Sequence, residues 1–190
     1  MGGLTFLRKI NEAIDRRYLR KVGATPIPGS GQQLLLFCYH PYHARKELRL
    51  SETVIIRPGD TVSELHFSNT RIVEIGAQAG DRPLEWRIID ILKEEFSILA
   101  EACRNGTVPP EVKAFYGVNV MPAGAKRLGF TLVPLPRGFN RWWLGLWESL
   151  LRLVYYSYQT KKKASLKRTM NDPYEIWISR DELIRRYARV

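Results

Sequence analysis

The chain has 190 residues, 45% of them apolar and 26% charged, which suits one folded core and excludes a disordered segment. Its net charge of +11, from 30 basic and 19 acidic side chains, is unevenly placed: residues 1–22 carry +4, residues 137–170 carry +7, and the rest is neutral. A neutral body with two cationic segments points to a binding face rather than to general stickiness. Two cysteines far apart, Cys38 and Cys103, exclude a disulfide framework and read as buried thiols in a reducing compartment. Charge from Arg8 onward leaves no room for a secretory signal, and no run of about 18 uncharged apolar residues is present to span a bilayer.

In chain order, residues 4–21 predict a helix, with Leu7, Ile10, Ile14 and Tyr18 on one face and Arg8, Lys9, Arg16, Arg17 and Arg20 around it. Residues 23–31, rich in glycine and proline, read as a linker. The expected organisation is therefore a basic amphipathic helix over 1–22 and an α+β domain over 32–190. Strands are expected at Leu34 to Tyr39, Thr53 to Ile56 and Thr61 to Phe67. Arg57-Pro58-Gly59-Asp60 between the last two predicts a tight hairpin, because proline presets one φ and glycine takes the positive one. Arg71 to Ile75 reads as an edge strand. Helical spacing of Ile88, Ile89, Leu92, Phe96, Leu99 and Cys103 predicts a helix over 84–104, stopped by Asn105-Gly106. A strand at Val112 to Val120, a short helix from Pro122 to Leu128 closed by Gly129, and a strand at Phe130 to Val133 follow. After a helix over 141–158, Lys161 to Arg168 reads as polar and mobile. A strand at Tyr174 to Ile178 precedes a last helix opened by the capping box Ser179-Arg180-Asp181-Glu182. Strands in neighbouring pairs with helices between them predict an α+β fold with an antiparallel or mixed sheet.

The segment 141–158 is the most unusual. Its polar residues Glu148 and Arg152 share one narrow face at i, i+4 spacing, and the rest is a wide apolar arc. Trp142, Trp143 and Trp147 near one end, with Tyr155 and Tyr158 near the other, are the amphipathic rings that settle at headgroup level. Lys161, Lys162, Lys163, Lys167 and Arg168 follow directly. Together with Arg16 and Arg17 they form the expected contact with an anionic membrane surface or a membrane-embedded assembly. A buried core helix, or a groove for a protein partner, is the competing reading of the same aromatics.

Chemistry-bearing residues are few. Cys38, His40 and His43 lie close in sequence, and His66 would come from another strand, but a closed metal site lacks a fourth ligand and the familiar paired spacings. No metal and no cofactor is therefore expected, and the histidines read as structural. Strand alternation puts Glu64 and His66 on one face, where they would form an acid–base pair; the bland alternative is the polar outer face of a half-exposed strand. Phosphate loops, nucleotide fingerprints and nucleophile elbows are absent from the sequence.

The stretch Gly59-Asp60-Thr61-Val62-Ser63-Glu64-Leu65-His66-Phe67-Ser68-Asn69, with Arg127-Leu128-Gly129-Phe130 and Glu175-Ile176-Trp177-Ile178-Ser179, resembles the YkoP-like domain of bacteria, from residue 33 or so to the end of the chain. The resemblance implies a module that stands alone or behind polysaccharide deacetylase domains. The deacetylase metal pattern His-x-x-x-His is missing, so that activity is not implied. The leading expectation is a non-catalytic accessory protein, cytoplasmic and peripheral to the inner face of the membrane, linked to cell-envelope polysaccharide metabolism. The alternatives are a transferase- or hydrolase-type enzyme using Glu64 and His66, and a single-stranded nucleic-acid binder.

Overall fold

A computed structural model describes residues 13, 16–78, 84–119, 122–135 and 174–189. Its strands are β1 (Thr25–Pro26), β2 (Leu35–Pro41), β3 (Leu48–Arg49), β4 (Ile55–Ile56), β5 (Thr61–Phe67), β6 (Ala114–Asn119), β7 (Thr131–Pro134) and β8 (Tyr174–Ser179). Its helices are α1 (16–22), α2 (Asn69–Ala77), α3 (Leu84–Arg104), α4 (Pro122–Arg127) and α5 (Arg180–Tyr187). The expected helix over 141–158 and the stretch 161–168 lie outside the described residues.

Six strands form one mixed sheet in the order β1-β2-β5-β6-β8-β7, and β3 pairs with β4 apart from it. All neighbours in the large sheet are antiparallel except β5 and β6. A parallel pair needs a crossover, and the chain between β5 and β6 supplies one that contains α2 and α3. The fold is thus α+β.

Strand alternation sorts the side chains between two faces. Leu35, Phe37, Phe115 and Ile178 point to one face, where they pack with Leu92, Phe96, Leu99 and Cys103 of α3 and Leu183 of α5. Ile56, Val62, Ala114 and Trp177 form a second, smaller cluster on the other face, covered by Leu48, Leu50 and Val54 of the β3–β4 hairpin. Trp177 is 1% exposed; it stacks on Tyr116 with ring centroids 4.4 Å apart and meets Tyr42 edge-on. Both cysteines are buried free thiols.

A buried carboxylate ties the first core together. Glu95 of α3 is 0% exposed and accepts hydrogen bonds from the Leu34 amide (3.0 Å), the Leu35 amide (2.7 Å) and the Ser30 hydroxyl. These donors belong to the entry into β2, so Glu95 fixes that strand to the helix behind it.

Several elements differ from the sequence reading. Arg71 to Ile75 is helical: Ser68 caps α2 by accepting from the Arg71 amide at 3.3 Å, and Ile75 is buried. The β-branched run Ile72-Val73 suggests a strand, but a serine N-cap and a core-facing stripe outweigh that propensity. The glycine–proline stretch 23–31 is not a bare linker, because β1 pairs with β2 and Ile27 is 2% exposed in the core. At α5, Ser179 accepts from the Glu182 amide at 3.2 Å as a capping box requires, whereas the Glu182 carboxylate pairs with Arg185 and Arg186. The turn at 57–60 forms, with Gly59 at φ 90° and the Asp60 amide donating to the Arg57 carbonyl at 3.0 Å, but it closes no hairpin, because β4 pairs with β3 while β5 pairs with β2 and β6.

Candidate functional site

The face of the sheet away from α3 changes character along β5. At Val62 it is apolar and covered by the hairpin; from Glu64 onward it is polar. Register dictates who meets there. Cys38 on β2 lies opposite Glu64, Leu36 opposite His66, and Tyr116 on β6 opposite Glu64. Since side chains repeat every second residue, Cys38, His40, Glu64, His66 and Tyr116 share this face.

Glu64 is the centre of the group. Its Oε1 lies 3.5 Å from His66 Nε2, and its Oε2 accepts from the Tyr18 hydroxyl of α1, also at 3.5 Å. The Tyr18 ring stands edge-on to His66, with centroids 5.3 Å apart at 72°. The side chains of His66 and Glu64 retain only 17% and 19% of their exposure, so this is no flat solvated surface. His66 Nε2 is within ion-pair range of Glu64 without hydrogen-bond geometry, and it is a buried polar atom without a hydrogen-bond partner among the described residues. The donor atoms of Cys38, Glu64 and His66 all lie within 4.8 Å of one another.

His40 is committed elsewhere. Its Nδ1 lies 2.8 Å from the Pro41 carbonyl, which can only accept, so Nδ1 carries the proton. Its Nε2 then accepts from the Tyr116 hydroxyl at 2.9 Å. His43 stacks on His40, with ring centroids 5.7 Å apart.

The electrostatics follow from a half-buried carboxylate among aromatic hydroxyls and imidazoles. Burial works against the Glu64 charge, but His66, His40 and Tyr116 outweigh it and hold the carboxyl below its ordinary value. Burial, and then the negative charge of Glu64, push the Cys38 thiol up. The same two causes push the Tyr18 hydroxyl to about 12 and raise Tyr116 further. The group therefore sets one carboxylate among hydroxyls, a thiol and imidazoles, an arrangement that receives a cation or a hydrogen-bonding ligand.

Glu64 and His66, paired from the sequence, do come together. Arg16 and Arg17 stand exposed on α1 beside exposed Arg20 and Lys21. Trp142, Trp143, Trp147, Tyr155, Tyr158, Lys161, Lys162, Lys163, Lys167 and Arg168 lie outside the described residues. Tyr18 and Tyr116 are the members of the group that sequence reasoning missed; Tyr18 was read only as part of an apolar helix face, and Tyr116 carries no signal without the β5–β6 register. A separate open groove of about 580 Å³ runs beside α3 between Pro28, Glu101 and Arg189, and no histidine or cysteine lines it.

Comparison with protein families matches the YkoP domain over residues 5–187. The chain belongs to the YkoP domain family. The matched span takes in α1, the whole sheet, all of the basic segment 137–170 and the last residue of α5, so in this YkoP domain the cationic segments fall inside the family's own boundaries. Comparison with curated proteins and with solved structures returned no match. Among the described residues, no helix of the YkoP domain is long and apolar enough to cross a membrane.

Proposed function

We propose that this YkoP domain is a peripheral accessory module that docks on an anionic membrane surface through its two basic segments. The observation that carries the reading is charge placement: residues 1–22 and 137–170 hold the whole net +11, and the body between and after them is neutral. Two structural facts support it. The described part of the first segment presents Arg16, Arg17, Arg20 and Lys21 to solvent. The described residues that flank the second segment meet in the sheet, where Pro134 pairs with Tyr174, and Tyr174 in turn pairs with Asn119 at the Phe67 end. Tyr18 of α1 packs on His66, one residue from that end, so the described part of α1 reaches the same end of the sheet.

A basic residue near an anionic leaflet contributes about 1 kcal/mol, and the field decays over a Debye length of about 10 Å. The basic side chains in 137–170 are therefore enough for salt-sensitive docking, with the tryptophans adding the apolar part. A place beside cell-envelope polysaccharide enzymes, on the cytoplasmic face, is the further part of this reading and rests on the family resemblance alone.

The test is co-sedimentation of the full chain with vesicles of neutral lipid and with vesicles containing an anionic lipid. Binding is expected to the anionic vesicles only, weakening as salt rises, and to fall in Lys161→Glu/Lys162→Glu/Lys163→Glu. Equal binding to both vesicles, or to neither, retires the reading, and a salt-sensitive shift with single-stranded oligonucleotides in its place favours nucleic acid.

A further inference from the structure

The polar group on β2 and β5 combines three ligand chemistries at one point: a thiol, a carboxylate and an imidazole. From this juxtaposition we infer a site for a divalent transition metal of the Zn2+ type, held by Cys38 Sγ, a Glu64 carboxylate oxygen and His66 Nε2. The inference stands apart from the docking reading, since it uses none of the basic residues.

The donor set comes first. Sulfur, nitrogen and oxygen together suit a borderline-soft ion such as Zn2+ and disfavour Mg2+ and Ca2+, which want oxygen alone. Geometry comes second. Bonds of about 2.0–2.3 Å in a tetrahedron give ligand–ligand edges of about 3.3–3.8 Å. Glu64 Oε1 and His66 Nε2 are already 3.5 Å apart, and all three donor atoms fall within 4.8 Å. Closing the remainder asks Cys38 Sγ to move by about 1 Å, within reach of a small side-chain rotation. The register explains why the three converge: Cys38 faces Glu64 across the ladder, and His66 follows Glu64 by one pleat on the same strand.

The ring nitrogen Nε2 of His66 is orphaned among the described residues. Buried polar atoms are nearly always hydrogen-bonded, and each exception calls for a reason. His66 Nε2 has no such partner among the described residues, yet it faces a carboxylate and a thiol rather than apolar side chains. A metal ion at that point satisfies it. Tyr18 completes the setting by donating to Glu64 Oε2, which leaves Oε1 toward His66, and by laying its ring edge against the imidazole. Such outer contacts orient ligands at metal sites. His40 is not a ligand, because both its nitrogens are engaged by Pro41 and Tyr116. Three protein ligands leave a fourth position for water or a bound molecule.

The test titrates the reduced, metal-free full chain with Co2+ as a spectroscopic probe. One equivalent is expected to produce thiolate-to-metal charge transfer in the near ultraviolet and tetrahedral visible bands, both displaced by Zn2+. Cys38→Ser should lose the charge-transfer band, and Glu64→Gln and His66→Gln should weaken binding by about tenfold or more. Cys103→Ser, which removes the thiol buried against α3, should change nothing. Absence of the band in the wild type, its survival in Cys38→Ser, or its loss in Cys103→Ser overturns the site. X-ray absorption of the wild-type Zn2+ complex gives a reading independent of any variant's folding: one sulfur with nitrogen and oxygen scatterers supports the site, and a shell without sulfur, or with two sulfurs, overturns it.

Discussion

Replacing Glu95 tests whether the sheet is anchored as the structure indicates. Three donors converge on its two oxygens, the Ser30 hydroxyl and Leu34 amide on Oε1 and the Leu35 amide on Oε2, at a site with 0% exposure. In Glu95→Ala the hydroxyl can turn to another acceptor, but two backbone amides are stranded. Each buried unsatisfied group costs about 1–3 kcal/mol, so the variant should lose about 2–6 kcal/mol. That is a large share of the roughly 5–15 kcal/mol that holds a domain together. Glu95→Gln keeps one acceptor and turns an NH2 toward a donor, so it should fall between the two. Urea unfolding of the full chain measures both, with unchanged slopes if only stability is affected. A Glu95→Gln midpoint equal to that of the wild type would refute the three-donor account, because an amide cannot serve donors at both of its ends.

Other perturbations are more local. The Arg180 guanidinium donates to the carbonyls of Cys103 (2.6 Å), Pro109 (2.8 Å) and Val108 (3.2 Å), closing the end of α3 and the loop after it. Arg180→Ala should cost about 3 kcal/mol in chemical unfolding, and Arg180→Lys should recover little of it, since lysine lacks the planar fork. Gly59 has φ 90° with open space where a Cβ would sit, so Gly59→Ala should cost about 1–2 kcal/mol from backbone strain alone, read as a shift in thermal midpoint. Burial works against the Asp60 charge, but its contacts with Lys113 and the Arg57 amide, each at 2.7 Å, hold its carboxyl below the ordinary 3.8. A depressed folded value means the native state binds fewer protons there than the unfolded chain. The stabilisation is therefore complete above the unfolded value and lost as pH falls through the folded one. Asp60→Asn should be less stable than the wild type near neutrality, and the gap should close on acidification below about pH 4; a gap independent of pH would contradict the pairing.

Legibility in the sequence followed the range of the interactions. The helix over 84–104 was readable because its apolar spacing is local, and so were β5, the turn at 57–60 and the Ser179 cap. The stretch 71–75 misled because one serine cap decided between helix and strand, and capping is a weaker signal than a β-branched run. β3 was invisible, being two residues long and defined only by its partner. For the site, alternation alone placed Glu64 beside His66. Cys38 needed the β2–β5 register, Tyr116 the parallel β5–β6 pairing and Tyr18 the path of α1. None of these pairings is encoded within a window of neighbouring residues.

The contrast between the two sheet faces carries one last test. Where the hairpin covers the lesser face, the sheet uses the fully buried Val62, Ala114 and Trp177; two residues further along β5 it uses Glu64, and then His66, whose side chains keep 19% and 17% of their exposure. If position 38 and these two served packing alone, apolar residues would do as well, since replacing a partly buried polar pair by well-fitted apolar side chains is commonly neutral or stabilising by about 1–4 kcal/mol. Proteins keep such groups at a stability cost where a site requires them. The triple variant Cys38→Val, Glu64→Leu, His66→Leu should therefore unfold at higher urea than the metal-free wild type while losing Co2+ binding. Tyr18 can turn its hydroxyl to water, and Tyr116 keeps His40, so neither is stranded by the change. A triple variant less stable than the metal-free wild type would mean that the three side chains are a structural network, and the case for a site on this face would fall with it.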